Sequence, residues 1–312
     1  MIVTVTLNPS LDHTLDVESL RPGRMNRAGH TRLDPGGKGV NVSRALVAHG
    51  IATRAVLPHG GHEGAQLVEL LEAERVTLAA VPIAGRTRSN VTLVESDGTV
   101  TKVNEPGAPL TGTELLAITE TVLEVSAAAE WVVVSGAAPP GVSVSDFTRL
   151  CRRLVEAGVR LAVDTSGPWL RAAARAGAHL VKPNRRELSE VVETELPRLE
   201  DIARAATTLQ SWGAHTVLAS LAADGAVLAD ESGVHVGTPP PVTARSNVGA
   251  GDAMLAGFLA SGASGTPSLI EALAWGAAAA ALPGSTMPTP GDVSRSDIVV
   301  RPGPDPHLSL LD

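Results

Sequence analysis

Four short apolar runs in the second half of the chain constrain its fold most: "WVVVSG" (131–136), "VRLAVDTS" (159–166), "HLVKPN" (179–184) and "TVLASL" (216–221). Each is bounded by turn residues, and helical patterns lie between them. Runs that do not alternate polar with apolar suit strands buried on both faces, and the intervening helices supply the crossovers parallel strands need. "IVTVTL" at the start adds a β-branched strand. The pattern predicts an α/β fold, a mostly parallel sheet covered by helices. Its core must be built from Ala, Val and Leu, because aromatic residues make up 2% of the chain and Tyr is absent.

Other stretches do alternate. "HTLDVESL", "HTRLDPGG" and "SNVTLVESDGTVTKVNEPG" (89–107) read as half-buried strands, the last with a Ser-Asp-Gly hairpin turn. They suit a small sheet with one solvated face. We read them as a lid made by insertions at roughly 12–34 and 86–107 into one domain spanning 1–312; edge strands of the main sheet are the alternative. "AVLADESGVHVG" (226–237) is a further hairpin, "LIEALAWGAAAAAL" (269–282) a helix, and the tail after Ser294 is expected to be irregular.

The net charge of -8 argues against nucleic acid and anionic membranes as partners. "ALAWGAAAAALPG" is too short for a membrane span, and "MIVTVTLNPS" carries no signal pattern. A cytoplasmic protein is expected. Cys151, the single cysteine, falls in an amphipathic helix and reads as a small core residue. His59 and His62 in "HGGHEG" make a poor metal site.

Three loops could carry chemistry. In "DPGGKGVNVSRALVAHG" (34–50) a helix starts near Val40 and closes at Gly50, preceded by Gly36, Gly37 and Gly39 around Lys38, with Asn41 just inside. Bare N–H groups at a helix start attract anions. The loop is neither a Walker A loop nor a dinucleotide fingerprint. In "SNVGAGDAMLAGFLA" (246–260), Gly249 and Gly251 precede a helix that begins near Asp252, which is either a cap or a proton acceptor. In "VKPNRREL" (181–188), Asn184 and Glu187 are three apart. They suit either hydrated Mg²⁺ or a capping box. Arg86 and Arg88 start the lid hairpin, and Asn8 and Asp12 follow the first strand, at the end where parallel sheets bind ligands.

Together these motifs resemble the ribokinase-like sugar kinases, in the branch of bacterial phosphofructokinases of the B type. The likeness runs from "TLNPSLD" to "LPGSTMPTP", with "GGKGVNVSRA" and "SNVGAGDAMLAGF" as signatures and "TRSN", "VKPNRREL" and "LASLAADGA" in order between them. The resemblance implies a three-layer α/β/α sandwich with a small β-sheet lid used as a homodimer interface. It implies ATP-dependent phosphorylation of fructose 1-phosphate to fructose 1,6-bisphosphate. Fructose 6-phosphate and tagatose 6-phosphate are the alternative substrates, and a non-catalytic phosphosugar or nucleotide sensor is the alternative of another class. Lys38 fits fructose 1-phosphate and tagatose 6-phosphate, since 6-phosphofructokinases of this type tend to have glycine there.

It also implies residue roles. Asp252 would be the general base, with an anion hole at Gly249, Ala250 and Gly251. Asn8, Asp12, Arg24, Gly36, Gly37, Lys38, Asn41 and Arg88 would bind the phosphosugar. Lys182, Asn184, Ser220, Asp224, Gly225, Gly249, Gly251, Pro283 and Gly284 would hold ATP, with Asn184 and Glu187 acting on Mg²⁺ through water. A monovalent cation is a further candidate. Two departures stand out: Ala137 in "SGAAPPG" lacks a hydroxyl usual there, and Ala222 in "SLA" replaces a usual glycine.

Overall fold

The structure is a computed structural model and describes residues 1–304. The first half runs β1 (Ile2–Val5), β2 (Ser10–Val17), β3 (Ala28–Gly36), α1 (Lys38–Ala48), β4 (Thr53–His59), α2 (Gly61–Ala73), β5 (Thr77–Pro82), β6 (Arg88–Glu95), β7 (Val100–Asn104), α3 (Gly112–Ser126) and β8 (Trp131–Ser135). The second runs α4 (Val144–Glu156), β9 (Leu161–Asp164), α5 (Gly167–Arg175), β10 (Leu180–Val181), α6 (Arg185–Val192), α7 (Leu199–Ser211), β11 (Thr216–Ser220), β12 (Ala226–Asp230), β13 (Gly233–Thr238), α8 (Ala250–Ala260), α9 (Gly265–Ala281) and β14 (Val299–Pro302).

The main sheet has the order β14-β13-β12-β11-β10-β9-β8-β1-β4-β5. Strands from β5 across to β11 pair in parallel; β12, β13 and β14 pair antiparallel. The pleat decides which layer each side chain joins. Val3, Val132, Val134, Val163, Val181 and Val217 point to one face and pack with side chains of α3 to α7. Their neighbours Ile2, Val133, Ala162, Leu180 and Leu218 point to the other and pack with α1, α8 and α9. That two-sided burial is the helix-covered sheet that the non-alternating runs predict, and the three-layer sandwich that the resemblance implies. Cys151 lies in the first of these cores, and burial pushes its thiol up to about 12.

The alternating stretches form a separate sheet of order β3-β2-β6-β7, not edge strands of the main one. Every residue of β6 is half-buried, as a sheet with one covered face requires. Its register sets Ser10 opposite both Gly36 and Arg88, and Asp12 opposite Asn90.

One expectation fails. The tail after Ser294 is not wholly irregular: β14 pairs with β13 at the sheet edge, where Pro302 is tolerated. The rest of that expectation falls on residues 305–312, outside those described. Among the described residues no helix is long and apolar enough to cross a membrane.

Candidate active site

The loops that leave β1, β8, β9, β10 and β11 emerge at the C-terminal ends of adjacent parallel strands, the edge where open α/β sheets bind ligands. The start of α8 joins them. Gly249 (φ 77) is its N-cap, and no side chain caps the helix. A left-handed N-cap suits glycine, and without a capping side chain the first turn presents its N–H groups as an anion site. The helix begins at Ala250, so Asp252 lies inside the first turn and is not the cap.

Asp252 is 6% exposed and accepts a hydrogen bond from Asn41 Nδ2 at 2.9 Å. Burial, and then the negative charge of Asp164, raise its pKa to about 6. The Asn41 hydrogen bond and the charges of Lys182 and Lys38 oppose that rise.

Sequence reasoning missed Asp164, the last residue of β9. It is fully buried, with Lys38 Nζ donating to Oδ1 at 2.7 Å and Lys182 Nζ lying 2.8 Å from Oδ2. Burial would raise its pKa, but the two ammonium groups outweigh it and hold the carboxyl below its ordinary range. Burial works against the Lys38 ammonium, but the Asp164 carboxylate, with help from Glu187, holds its pKa above the ordinary value. The amine of Lys182 is therefore turned inward, and a Cβ on Gly251 would stand 3.4 Å from it. Ser135, at the end of β8, was missed too; its hydroxyl is buried with no hydrogen-bond partner among the described residues. A signal was present for both: each ends an apolar run that was read as a strand.

The first glycine-rich loop has a packing role besides the one read from it. A Cβ at Gly36 would stand 2.4 Å from Asp12 Oδ2, and one at Gly39 2.5 Å from Thr6 Oγ1. The helix α1 begins at Lys38, two residues before the expected Val40. Asp12 Oδ1 accepts from Ser10 Oγ (2.7 Å) and Asn90 Nδ2 (2.9 Å). Arg88 donates from Nη1 to the Glu105 carbonyl, while its buried Nε has no partner among the described residues. Asn8 ties the loop after β1 to the Pro106 carbonyl. Arg86 is exposed and paired with Glu105 and Glu63.

Arg24 does not join this cluster. It is exposed in the turn beyond Val17, and Asp12 to Val17 alone spans about 17 Å at strand rise.

On the other side, Asn184 and Glu187 do form the capping box of α6: Glu187 N donates to Asn184 Oδ1 (2.8 Å) and Asn184 N to Glu187 Oε2 (2.9 Å). The other oxygen, Glu187 Oε1, accepts from Lys38 Nζ at 3.4 Å. Ser220 bridges Asn184 from the end of β11. Asp224 and Gly225 lie in the turn into β12. Ala222, at φ 52, holds the left-handed backbone that explains the glycine usual there. Pro283 and Gly284 follow α9, with the guanidinium of Arg32 lying against Gly284.

Residues 5–285 match the model of the pfkB family of carbohydrate kinases. The chain is 39% identical over 257 residues to the ATP-dependent 6-phosphofructokinase isozyme 2 of Escherichia coli strain K12, covering 81% of this chain and 83% of that protein. It is 36% identical over 262 residues to the 1-phosphofructokinase of Rhodobacter capsulatus, covering 83% and 82%. The crystal structure of phosphofructokinase-2 from E. coli in complex with potassium superposes with a TM-score of 0.89 at 37% identity, covering 93% of this chain and 96% of that one. The order of the loops and this likeness agree: the chain belongs to the pfkB family of carbohydrate kinases and is a sugar-phosphate kinase, a phosphotransferase with an alcohol acceptor.

Proposed function

We propose that the chain transfers the γ-phosphoryl group of ATP to the C6 hydroxyl of fructose 1-phosphate, giving fructose 1,6-bisphosphate and ADP. The observation that carries the chemistry is Asp252: a buried carboxylate of raised pKa in the uncapped first turn of α8. In this reading the chain is one kinase domain over 1–312, and the small sheet, from insertions at roughly 12–34 and 86–107, is its lid.

Phosphoryl transfer asks chiefly for alignment and charge stabilisation. Asp252 takes the hydroxyl proton as the new O–P bond forms and the β–γ bridging bond breaks. The N–H groups at Gly249, Ala250 and Gly251 stabilise the transferring oxygens. Asp12 and Asn41 hold sugar hydroxyls, and Arg88, whose Nε has no partner among the described residues, meets the sugar's phosphate. Gly36 and Gly37 let the sugar approach the backbone. The loops at 182–187, 220–225 and 283–284 hold ATP, and the lid excludes water that would otherwise hydrolyse it.

Mg²⁺ fits the loop at 181–188. Asn184 and Glu187 use one oxygen each in the capping box, which leaves Glu187 Oε1 outside the box with Lys38 Nζ at 3.4 Å. One or two carboxylates plus waters and phosphates is how Mg²⁺ is usually held in kinases. The ion would neutralise charge on the ATP phosphates. A monovalent-cation requirement is proposed on the potassium of the E. coli structure. A homodimer through the small sheet is proposed on its exposed Val100 and Val103.

Lys38 supports fructose 1-phosphate, and tagatose 6-phosphate equally, over fructose 6-phosphate, since 6-phosphofructokinases of this type tend to have glycine there; its ammonium joins the sugar loop to Asp164 and Glu187. The E. coli relative favours fructose 6-phosphate as the second reading. A coupled ADP-release assay with fructose 1-phosphate, fructose 6-phosphate and tagatose 6-phosphate decides. The first should give the highest kcat/KM; a higher value for another reassigns the substrate. Tight binding with no turnover of any would make the protein a sensor.

A further inference from the structure

Asn41 lies between a cation and an anion. Its Nδ2 donates to Asp252 Oδ2, and its Oδ1 accepts from Arg44 Nη1 at 3.3 Å. An arginine only donates and an ionised carboxylate only accepts, so a single orientation of the amide satisfies both ends. Turned over, it would set its oxygen against Asp252 and its NH₂ against Arg44.

Arg44 is itself fixed. It is 7% exposed, with Nε and Nη2 donating to both oxygens of Glu74 (2.6 and 2.8 Å) and Nη1 to the Ser285 carbonyl at 3.2 Å. Glu74 caps the end of α2, and Ser285 lies in the loop after α9. Two other parts of the chain thus hold one guanidinium, which cannot follow the amide if it turns.

We infer that Arg44 is a positioning residue for phosphoryl transfer: anchored by Glu74 and the Ser285 carbonyl, it locks the Asn41 amide with its N–H aimed at the base. The inference rests on the reading of Asp252 as that base. The other charged groups facing Asp252 are Asp164 from β9, Lys182 from the loop after β10 and Lys38 from α1. On α9, packed against α8, Glu271 bonds Trp275 and Arg295 instead. All of these stay when Arg44 is replaced. Without its guanidinium the amide is free to turn, the hydrogen bond favouring ionised Asp252 is made only part of the time, and the carboxylate holds its proton to higher pH.

The test is the pH dependence of kcat/KM for Arg44→Met, Arg44→Lys and Glu74→Gln beside the unaltered chain, each checked for fold by circular dichroism. In Arg44→Met the acid limb should move up by about one pH unit, with most of the rate recovered by alkaline pH. Arg44→Lys keeps a donor and should fall between. A rate lost equally at every pH with the limb unmoved, or no loss at all, overturns the inference. If Arg44→Met does not fold, Glu74→Gln is read in its place, since that side chain is 38% exposed. A smaller upward displacement supports the inference, and an unmoved limb overturns it. Near-normal turnover in Asp252→Asn would remove the base itself. An inactive Asp252→Asn with an unmoved limb in the Arg44 variants would remove only the positioning role.

Discussion

Asp252→Asn is expected to lower kcat by at least about a hundredfold while ATP affinity stays near that of the unaltered chain. The new amide keeps the shape of the carboxylate and still offers an oxygen to Asn41 Nδ2, so the first turn of α8 keeps its place. What it loses is basicity. General-base catalysis contributes roughly 10² to 10⁴ in rate, and it works best when the base's pKa lies near the working pH. Burial and Asp164 bring Asp252 to about 6, close to that condition. Steady-state ADP release gives kcat, and an equilibrium titration with ATP gives affinity. Turnover within tenfold of the unaltered chain would remove Asp252 from the role.

Asp164→Asn should cost about 3–5 kcal/mol of stability, the range for breaking a buried ion pair from one side. The change leaves Lys182, 4% exposed, facing a neutral amide, and leaves Lys38 with Glu187 alone, 3.4 Å away. Because the folded state holds the Asp164 carboxyl below its ordinary range, its contribution is fully present above about pH 4 and lost as pH falls through the folded value. Urea unfolding should therefore show a deficit that is level through neutral pH and narrows only on strong acidification. Asp252 would also lose a negative neighbour, so any residual activity should extend to lower pH. A deficit below about 1 kcal/mol at neutral pH would mean that solvent reaches the pair.

The sheet was legible where strands are buried on both faces. Val132, Val133 and Val134 give a continuous apolar run because alternate side chains enter two different cores. It was illegible where that signal breaks. Arg54 and Pro58 interrupt β4, alanines dilute β5, and β14 is an edge strand in a Pro-rich tail.

The site divides similarly. Loops announced themselves by glycines at helix starts. Their partners did not, because the contacts join residues far apart in sequence: Lys38 to Asp164 across 126 positions, Asn41 to Asp252 across 211, Arg44 to the Ser285 carbonyl across 241. Asp164 reads in "VDTS" as the polar end of a strand, and only the fold sets two lysines around it. Asn184 and Glu187 show the converse. Spacing suggested both a capping box and a metal role, and the box forms while leaving one carboxylate oxygen over.

The central claim is that an ionised, buried Asp252 performs the proton transfer, and the pH profile of kcat/KM tests it most directly. With Mg·ATP and the preferred sugar phosphate, the account predicts a level profile above neutrality and an acid limb centred at about 6, below which the rate falls tenfold per pH unit. A profile that stays level down to pH 5, in protein still folded there by circular dichroism, would contradict it.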